Sequence, residues 1–365
     1  MQKILIPYGK QFIDHDDENE VKNSLRAKLI TTGNYVSSFE SAVIKKIRSK
    51  YALTCSNATT GLHLAYLSIG LKKGDTVVMP SINFISSYRM ANLIGAKIYL
   101  ADVDPITGQM TPKKLLECIK KNKLTKIKAI VTMYLGGLIE NNLAFYKIKK
   151  KYKCSLIEDA CHAFGGKYSF NNVNYNVGSC KHSDLCVFSF HPVKTITTGE
   201  GGIVTTNNKK YADKIKLLRN HGIQKEKEYW KYNIDELGYN YRLSDINCAL
   251  GLSQLKKLNS FYLKRKKIAE FYKKNLKKIS NILSFSNSLN KYNCYHFFLI
   301  SIDFKKIKSS KDQFIKYLNK KGIFPQFHYM PIFKFNFFKE KNIQLYSGAT
   351  QYYKNALSLP IYYEL

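Results

Sequence analysis

Short apolar runs alternate with amphipathic stretches over the first two thirds of the chain. Seven runs are rich in aliphatic and aromatic residues: YALTCS (51–56), TVVMPSI (76–82), KIYLADV (97–103), IKAIVTMY (127–134), CSLIED (154–159), LCVFSF (185–190) and GGIVTTN (201–207). Apolar runs of this length between turn residues suit buried strands. Between them, apolar residues recur every three or four positions at 59–70, 86–94, 112–121, 141–151 and 209–219. That spacing predicts helices with one buried face. The alternation predicts an α/β core with a largely parallel sheet. The last two strands are separated by only about ten residues, too few for a helical crossover, so one antiparallel member is expected.

The pattern changes at about residue 243. LSDINCALGLSQLKKLNSFYLKRKKIAEFYKKNL is one long helical pattern, with Asn259 as the candidate break point. A strand (YHFFLISI, 295–302), a helix (311–320) and a strand (GIFPQFH, 322–328) follow. This predicts two domains: a large one at 1–242, with an N-terminal arm, and a small C-terminal α+β one at 243–365.

Composition narrows the class. The 365 residues contain no apolar run of about 18, so no transmembrane helix is expected. The start, MQKILIPYGKQFIDHDDENE, turns acidic too early for a secretory signal, and a cytoplasmic location is expected. Eight cysteines at 55, 118, 154, 161, 180, 186, 248 and 294 include no CxxC pair. They predict free buried thiols and no metal site. The charge balance, 59 − 26 = +33, raises the possibility of a nucleic-acid partner. Only six of the 59 basic residues are arginine, whereas base readout favours arginine forks. The lysines fall on the polar sides of helical patterns. No nucleic-acid or membrane partner is expected. A basic surface still speeds the arrival of an anionic substrate.

Candidate chemistry gathers at one edge. In such sheets ligands bind beyond the C-terminal strand ends. SNATTG, PSINFISS, YLGG, DACHAFGG and HPVKTITTGEGG all follow strands there. SNATTG opens a helix, which suits either a Thr N-cap or a phosphate held by free N–H groups. Asp159 ends a buried strand and needs a partner, either loop amides or a protonated ring nitrogen. Lys194 follows the apolar FSFHPV and precedes glycines that allow close backbone approach to a ligand. It is either a solvated lysine or, in a partly buried cleft, an amine able to form a Schiff base. With an aromatic shelf at Phe84, the set suits pyridoxal 5′-phosphate.

These motifs, together with LITTGNYVSSFE, LRNHG, LGYNYRLSDINCALGLSQL, FHYMPIF and LSLP, run nearly end to end. Their order resembles the DegT/DnrJ family of pyridoxal-phosphate sugar aminotransferases. The resemblance implies the fold type I aminotransferase architecture. It implies Lys194 as the Schiff-base lysine and Asp159 as the partner of the pyridine nitrogen. Phe84 and His162 would contact the cofactor ring, and Ala58, Thr59 and Ser189 its phosphate. Asn240 in GYNYR would reach the phosphate from a neighbouring subunit, implying a homodimer with shared sites. SFHPVKTITTGEGG with RNHG is similar to the branch that aminates 4-keto nucleotide sugars in the pseudaminic acid route, rather than the 3-keto branch. His191, Thr197, Thr198, Glu200 and His221 lie in this distinguishing region. Tyr8 and His328 are further candidates for sugar or nucleotide contacts, and glutamate is the implied amino donor. Related dehydratases carry His in place of the lysine, and this chain keeps Lys194. Tyr134 stands where the family often has His, which puts substrate contacts there in doubt. Relatives continue past LSLPIYYEL with a final helix, so either a shortened small domain or a truncated chain or gene is expected.

Overall fold

Two helices precede the first strand. The computed structural model describes residues 5–228, 230–279, 281–286, 288, 290–338 and 343–365. The first helix, α1 (His15–Ser24), begins where the Asp14 carboxylate accepts from the N–H groups of Asp16 and Asp17. α2 (Asn34–Ile47) buries Phe39, Val43 and Ile47, spaced every four residues. The core then follows in order: β1 (Tyr51–Cys55), α3 (Ala58–Ser68), β2 (Thr76–Pro80), α4 (Ser86–Leu93), β3 (Lys97–Ala101), α5 (Pro112–Lys121), β4 (Ala129–Met133), α6 (Asn142–Tyr152) and β5 (Ser155–Asp159). A hairpin of β6 (Lys167–Phe170) and β7 (Val173–Asn176) precedes β8 (Leu185–Ser189), β9 (Gly202–Thr206) and α7 (Lys209–Leu218). A second hairpin, β10 (Ile223–Lys225) and β11 (Tyr232–Ile234), precedes α8 (Asp245–Leu276). The chain ends with β12 (Leu283–Phe285), β13 (Phe298–Ile302), α9 (Lys311–Lys320), α10 (Ser347–Asn355) and β14 (Ala356–Leu359).

Seven strands form the central sheet in the order β1-β9-β8-β5-β4-β2-β3. β2, β3, β4, β5 and β8 pair in parallel, and β9 runs antiparallel to both β8 and β1. The short β8–β9 connection therefore produces the expected antiparallel member. Helices cover both faces, and strand alternation sorts the side chains. Leu53, Cys55, Val187 and Val204 pack with Leu62 and Tyr66 of α3. Ala52, Cys186, Phe188 and Ile203 face the other way, towards Phe39 and Phe261.

Two expectations are corrected. α8 runs unbroken for 32 residues, about 48 Å at ~1.5 Å per residue. Asn259 lies on its solvent side, where a mid-helix Asn costs under ~0.7 kcal/mol and packing against α1 and α2 prevails. Residues 322–328 form no strand. Ile6 bonds to Gly322 and Phe324, then Gln326 switches to Ser358, so no single neighbour builds a ladder. Pro325 lacks the donor a central strand needs. The second sheet is antiparallel, β12-β13-β14, and its third strand is the tail segment Ala356–Leu359.

Candidate active site

The site starts from Asp159, the last residue of β5, with 2% of its surface exposed. Its Oδ2 accepts from Ser87 Oγ at 2.8 Å and Asn83 Nδ2 at 3.2 Å. Its Oδ1 accepts from the Cys161 N–H at 3.4 Å, with the Cys161 thiol also beside the carboxylate. A loop amide and an α4 hydroxyl thus fix one oxygen and leave the other with spare acceptor capacity. Asn83 and Ser87, one helical turn apart in PSINFISS, went unremarked in the sequence.

Ser189 ends the neighbouring β8, and among the described residues its Oγ accepts only the His191 N–H, at 3.4 Å. Lys194 lies five residues further, in a loop closed by Thr197 Oγ1, which donates to Phe190 O at 2.9 Å. Gln254 of α8 holds the loop from below: its Oε1 accepts from Thr197 N at 3.4 Å, and its Nε2 donates to Phe12 O and Asp17. Burial lowers the Lys194 pKa, and the Arg265 charge adds to that effect, while Cys161 and Asp159 oppose it.

Of the glycines that follow, Gly202 has another use than the one expected. A Cβ on Gly202 would sit 2.6 Å from the Asn57 carbonyl carbon and 2.7 Å from Ala58 N. The small residue lets β9 press against the turn that opens α3, rather than against a ligand. In that turn Asn57 caps Thr60 N at 2.9 Å. Among the described residues nothing accepts from the first-turn N–H groups of Ala58 and Thr59. Thr59 Oγ1 lies 2.7 Å from Ser86 Oγ. Free N–H groups at a helix start form an anion cradle.

His162 is 2% exposed. Its Nδ1 accepts from Gly136 N at 3.3 Å, which places the ring proton on Nε2, 3.1 Å from the Tyr329 hydroxyl. His296 lies beside it, with ring centroids 4.2 Å apart. His296 Nε2 is 3.4 Å from Lys194 Nζ, while its buried Nδ1 has no partner among the described residues. His328 stacks on Phe297 at 4.3 Å, and its Nδ1 lies 2.9 Å from Ser358 Oγ. Burial drives all three imidazoles towards the neutral form, His328 to about 3. Sequence reading missed His296 and Tyr329. The only signal was a polar residue opening the apolar β13 run.

An exposed aromatic, a buried carboxylate, a partly buried lysine and an unfilled anion cradle thus share one sheet edge. The profile of the DegT/DnrJ/EryC1/StrS aminotransferase family matches residues 11–365. The chain belongs to this family of sugar aminotransferases. It is 38% identical, over 99% of its length and 93% of the relative's, to a UDP-4-amino-4,6-dideoxy-N-acetyl-beta-L-altrosamine transaminase of Campylobacter jejuni subsp. jejuni serotype O:23/36. The same enzyme from serotype O:2 is 36% identical over equal coverage. Among solved structures, Helicobacter pylori PseC, an aminotransferase involved in the biosynthesis of pseudoaminic acid, superposes with a TM-score of 0.88 at 28% identity. That match covers 99% of this chain and 95% of PseC.

DegT/DnrJ aminotransferases use pyridoxal 5′-phosphate, and the residues fit that group. The unpartnered N–H pair at Ala58 and Thr59 suits its phosphate, and the spare Asp159 oxygen suits a protonated ring nitrogen. Phe84 is 53% exposed, with its ring 5.6 Å from that of Tyr329. Tyr8 approaches His328, with rings 5.5 Å apart. Other residues stay outside the cluster. His191 is exposed on the loop's outer side, and His221 is exposed with its N–H on Tyr239 O. Thr198 Oγ1 donates to Glu200 O, closing the loop on itself. Asn240 is exposed, its backbone bridged to Asn220. The Tyr134 hydroxyl is taken by Glu158 and Asn142 in a buried network.

Proposed function

We propose that this aminotransferase adds an amino group at C4 of a UDP-linked 4-keto-6-deoxy sugar, with glutamate as donor, in a pseudaminic-acid-type route. The observation that carries the reading is the Lys194 amine, set among Asp159, His162 and His296 at the end of β8. The names of the Campylobacter and Helicobacter relatives support the choice of sugar.

Bound pyridoxal phosphate supplies an electron sink for the charge left when a proton departs from the carbon bearing the amine. Asp159, fixed by Ser87 and Asn83, holds the ring nitrogen in its protonated state. Ala58, Thr59 and Ser189 orient the phosphate. Lys194, whose pKa burial lowers, takes the proton at Nζ as general base and returns it as general acid. Phe84 and His162 flank the ring and exclude water. Tyr8 and His328 form the wall for the sugar.

A homodimer in the cytoplasm belongs to the same proposal. The β10–β11 region exposes Trp230 (64%), Tyr232 (60%) and Leu237 (88%), an apolar surface suited to a second copy. Asn240 lies exposed beside it, in position to complete the site of that copy. All eight cysteines remain thiols, seven of them buried, in accord with a reducing compartment.

The test is direct. Purified protein with added pyridoxal phosphate should gain the visible absorption of bound cofactor, bleach it with glutamate and aminate a 4-keto UDP-sugar at C4. Lys194→Ala should lose both absorption and turnover. Amination of 3-keto sugars alone would overturn the C4 assignment, and a colourless wild-type protein would overturn the whole reading.

A further inference from the structure

Arg265 lies on α8 with 3% of its surface exposed. Its guanidinium donates to the carbonyl oxygens of His296 (2.9 Å) and Ile361 (2.8 Å), with that of Tyr295 at 3.5 Å. Among the described residues no carboxylate reaches it. Carbonyl groups satisfy N–H donors without cancelling the charge, and a buried charge left uncancelled is costly. Arg265 also lines one narrow cleft with Lys194, under the 192–197 loop, together with Phe12, Gln254 and Tyr363.

We propose that Arg265 is a positioning residue for Lys194. Its uncancelled charge opposes protonation of the Lys194 amine, and its Nη1 hydrogen bonds fix the backbone that sets His296 Nε2 3.4 Å from Nζ. This rests on the reading of Lys194 as the cofactor-bearing amine. The groups around that amine divide clearly. Asp159 and Cys161 favour the ammonium form, while burial and Arg265 oppose it. His162, His296 and His328 are held neutral by their own burial. Lys10, on the far wall of the cleft, is paired with Glu364 at 2.5 Å. The Cys294 thiol faces Arg265 and is pushed up by burial to about 12, so it stays uncharged. Burial lowers Arg265 itself to about 10, which leaves it charged at neutral pH.

The experiment reads the amine, not turnover. Protein free of cofactor is labelled with trinitrobenzenesulfonate across a pH series, and label on Lys194 is measured by mass spectrometry. Arg265→Gln should move the Lys194 midpoint upward, and labelling near neutral pH should slow about tenfold for each pH unit the midpoint climbs. Arg265→Lys, which keeps the charge, should keep the wild-type midpoint while losing thermal stability. Cys294→Asp, which gives Arg265 a carboxylate partner, should raise the midpoint without touching Arg265. A purely structural role predicts altered melting with an unchanged Lys194 profile. Wild-type profiles in folded Arg265→Gln or Cys294→Asp protein would overturn the proposal, as would Arg265→Lys moving the midpoint as far as Arg265→Gln does. Cofactor uptake by the wild type is scored separately, so failure of the functional reading remains distinguishable.

Discussion

His328 illustrates how one buried side chain sets a property of the whole enzyme. It titrates at about 3 in the fold against an ordinary 6.5, chiefly because burial penalises its cation. Between those values the unfolded chain holds a proton that the folded chain does not. Stability is therefore complete above 6.5 and falls as pH drops, on the order of 1 kcal/mol per pH unit from this residue. His162 and His296 act in the same direction, while Glu158, raised by burial, works against it at the acid end. Melting temperatures from pH 8 to pH 5 should show the decline, and His328→Gln should flatten it. Lys194 and Asp159 were legible in the sequence because their motifs are local: a strand end and the loop that follows. His296 and Tyr329 were not, because they arrive from a different sheet and a distant loop. Only tertiary packing brings Nε2 of one and the hydroxyl of the other into the site.

Elements with strong periodicity were legible nearly to the residue. The helix predicted at 311–320 is α9, and the seven predicted core strands are all present. Elements without such a pattern were not. The hairpin strands β10 and β11 are mostly exposed, and β12 and β14 have three and four residues. Partners, not intrinsic pattern, define such short pieces. The same lesson applies to Gly202. Read as room for a ligand, it is the contact point between β9 and the turn capping α3. Gly202→Ala would drive Cβ into the Asn57–Ala58 peptide, with no flexible side chain to yield. We expect a loss of about 1–3 kcal/mol, as for other overpacked sites, together with weaker cofactor binding. Thermal melts and a cofactor titration of the variant check both parts. Unchanged affinity in a destabilised protein would separate the strand–turn contact from the phosphate cradle.

At the scale of the molecule, the net charge of +33 acts on encounter rather than on chemistry. A nucleotide sugar is an anion, and the excess lysine raises its concentration near the surface. The expected signature is a Michaelis constant that rises with added salt while turnover at saturation stays constant. Steady-state kinetics across a salt series measures it, and a salt-independent constant would show that the charge is incidental to substrate capture. The composition has one further consequence. Among so many lysines, the six arginines divide by their surroundings. Arg26, Arg48 and Arg89 are exposed, but the other three are built in. Arg219 ties Glu40 to Thr54, Arg242 holds Asn220, and Arg265 gathers carbonyl groups from two segments. A lysine would keep the charge at these positions but present it on a compact ammonium in place of the planar guanidinium. Half of the six arginines thus serve as joints between separate segments of the fold, a role the far more numerous lysines do not explain by charge alone.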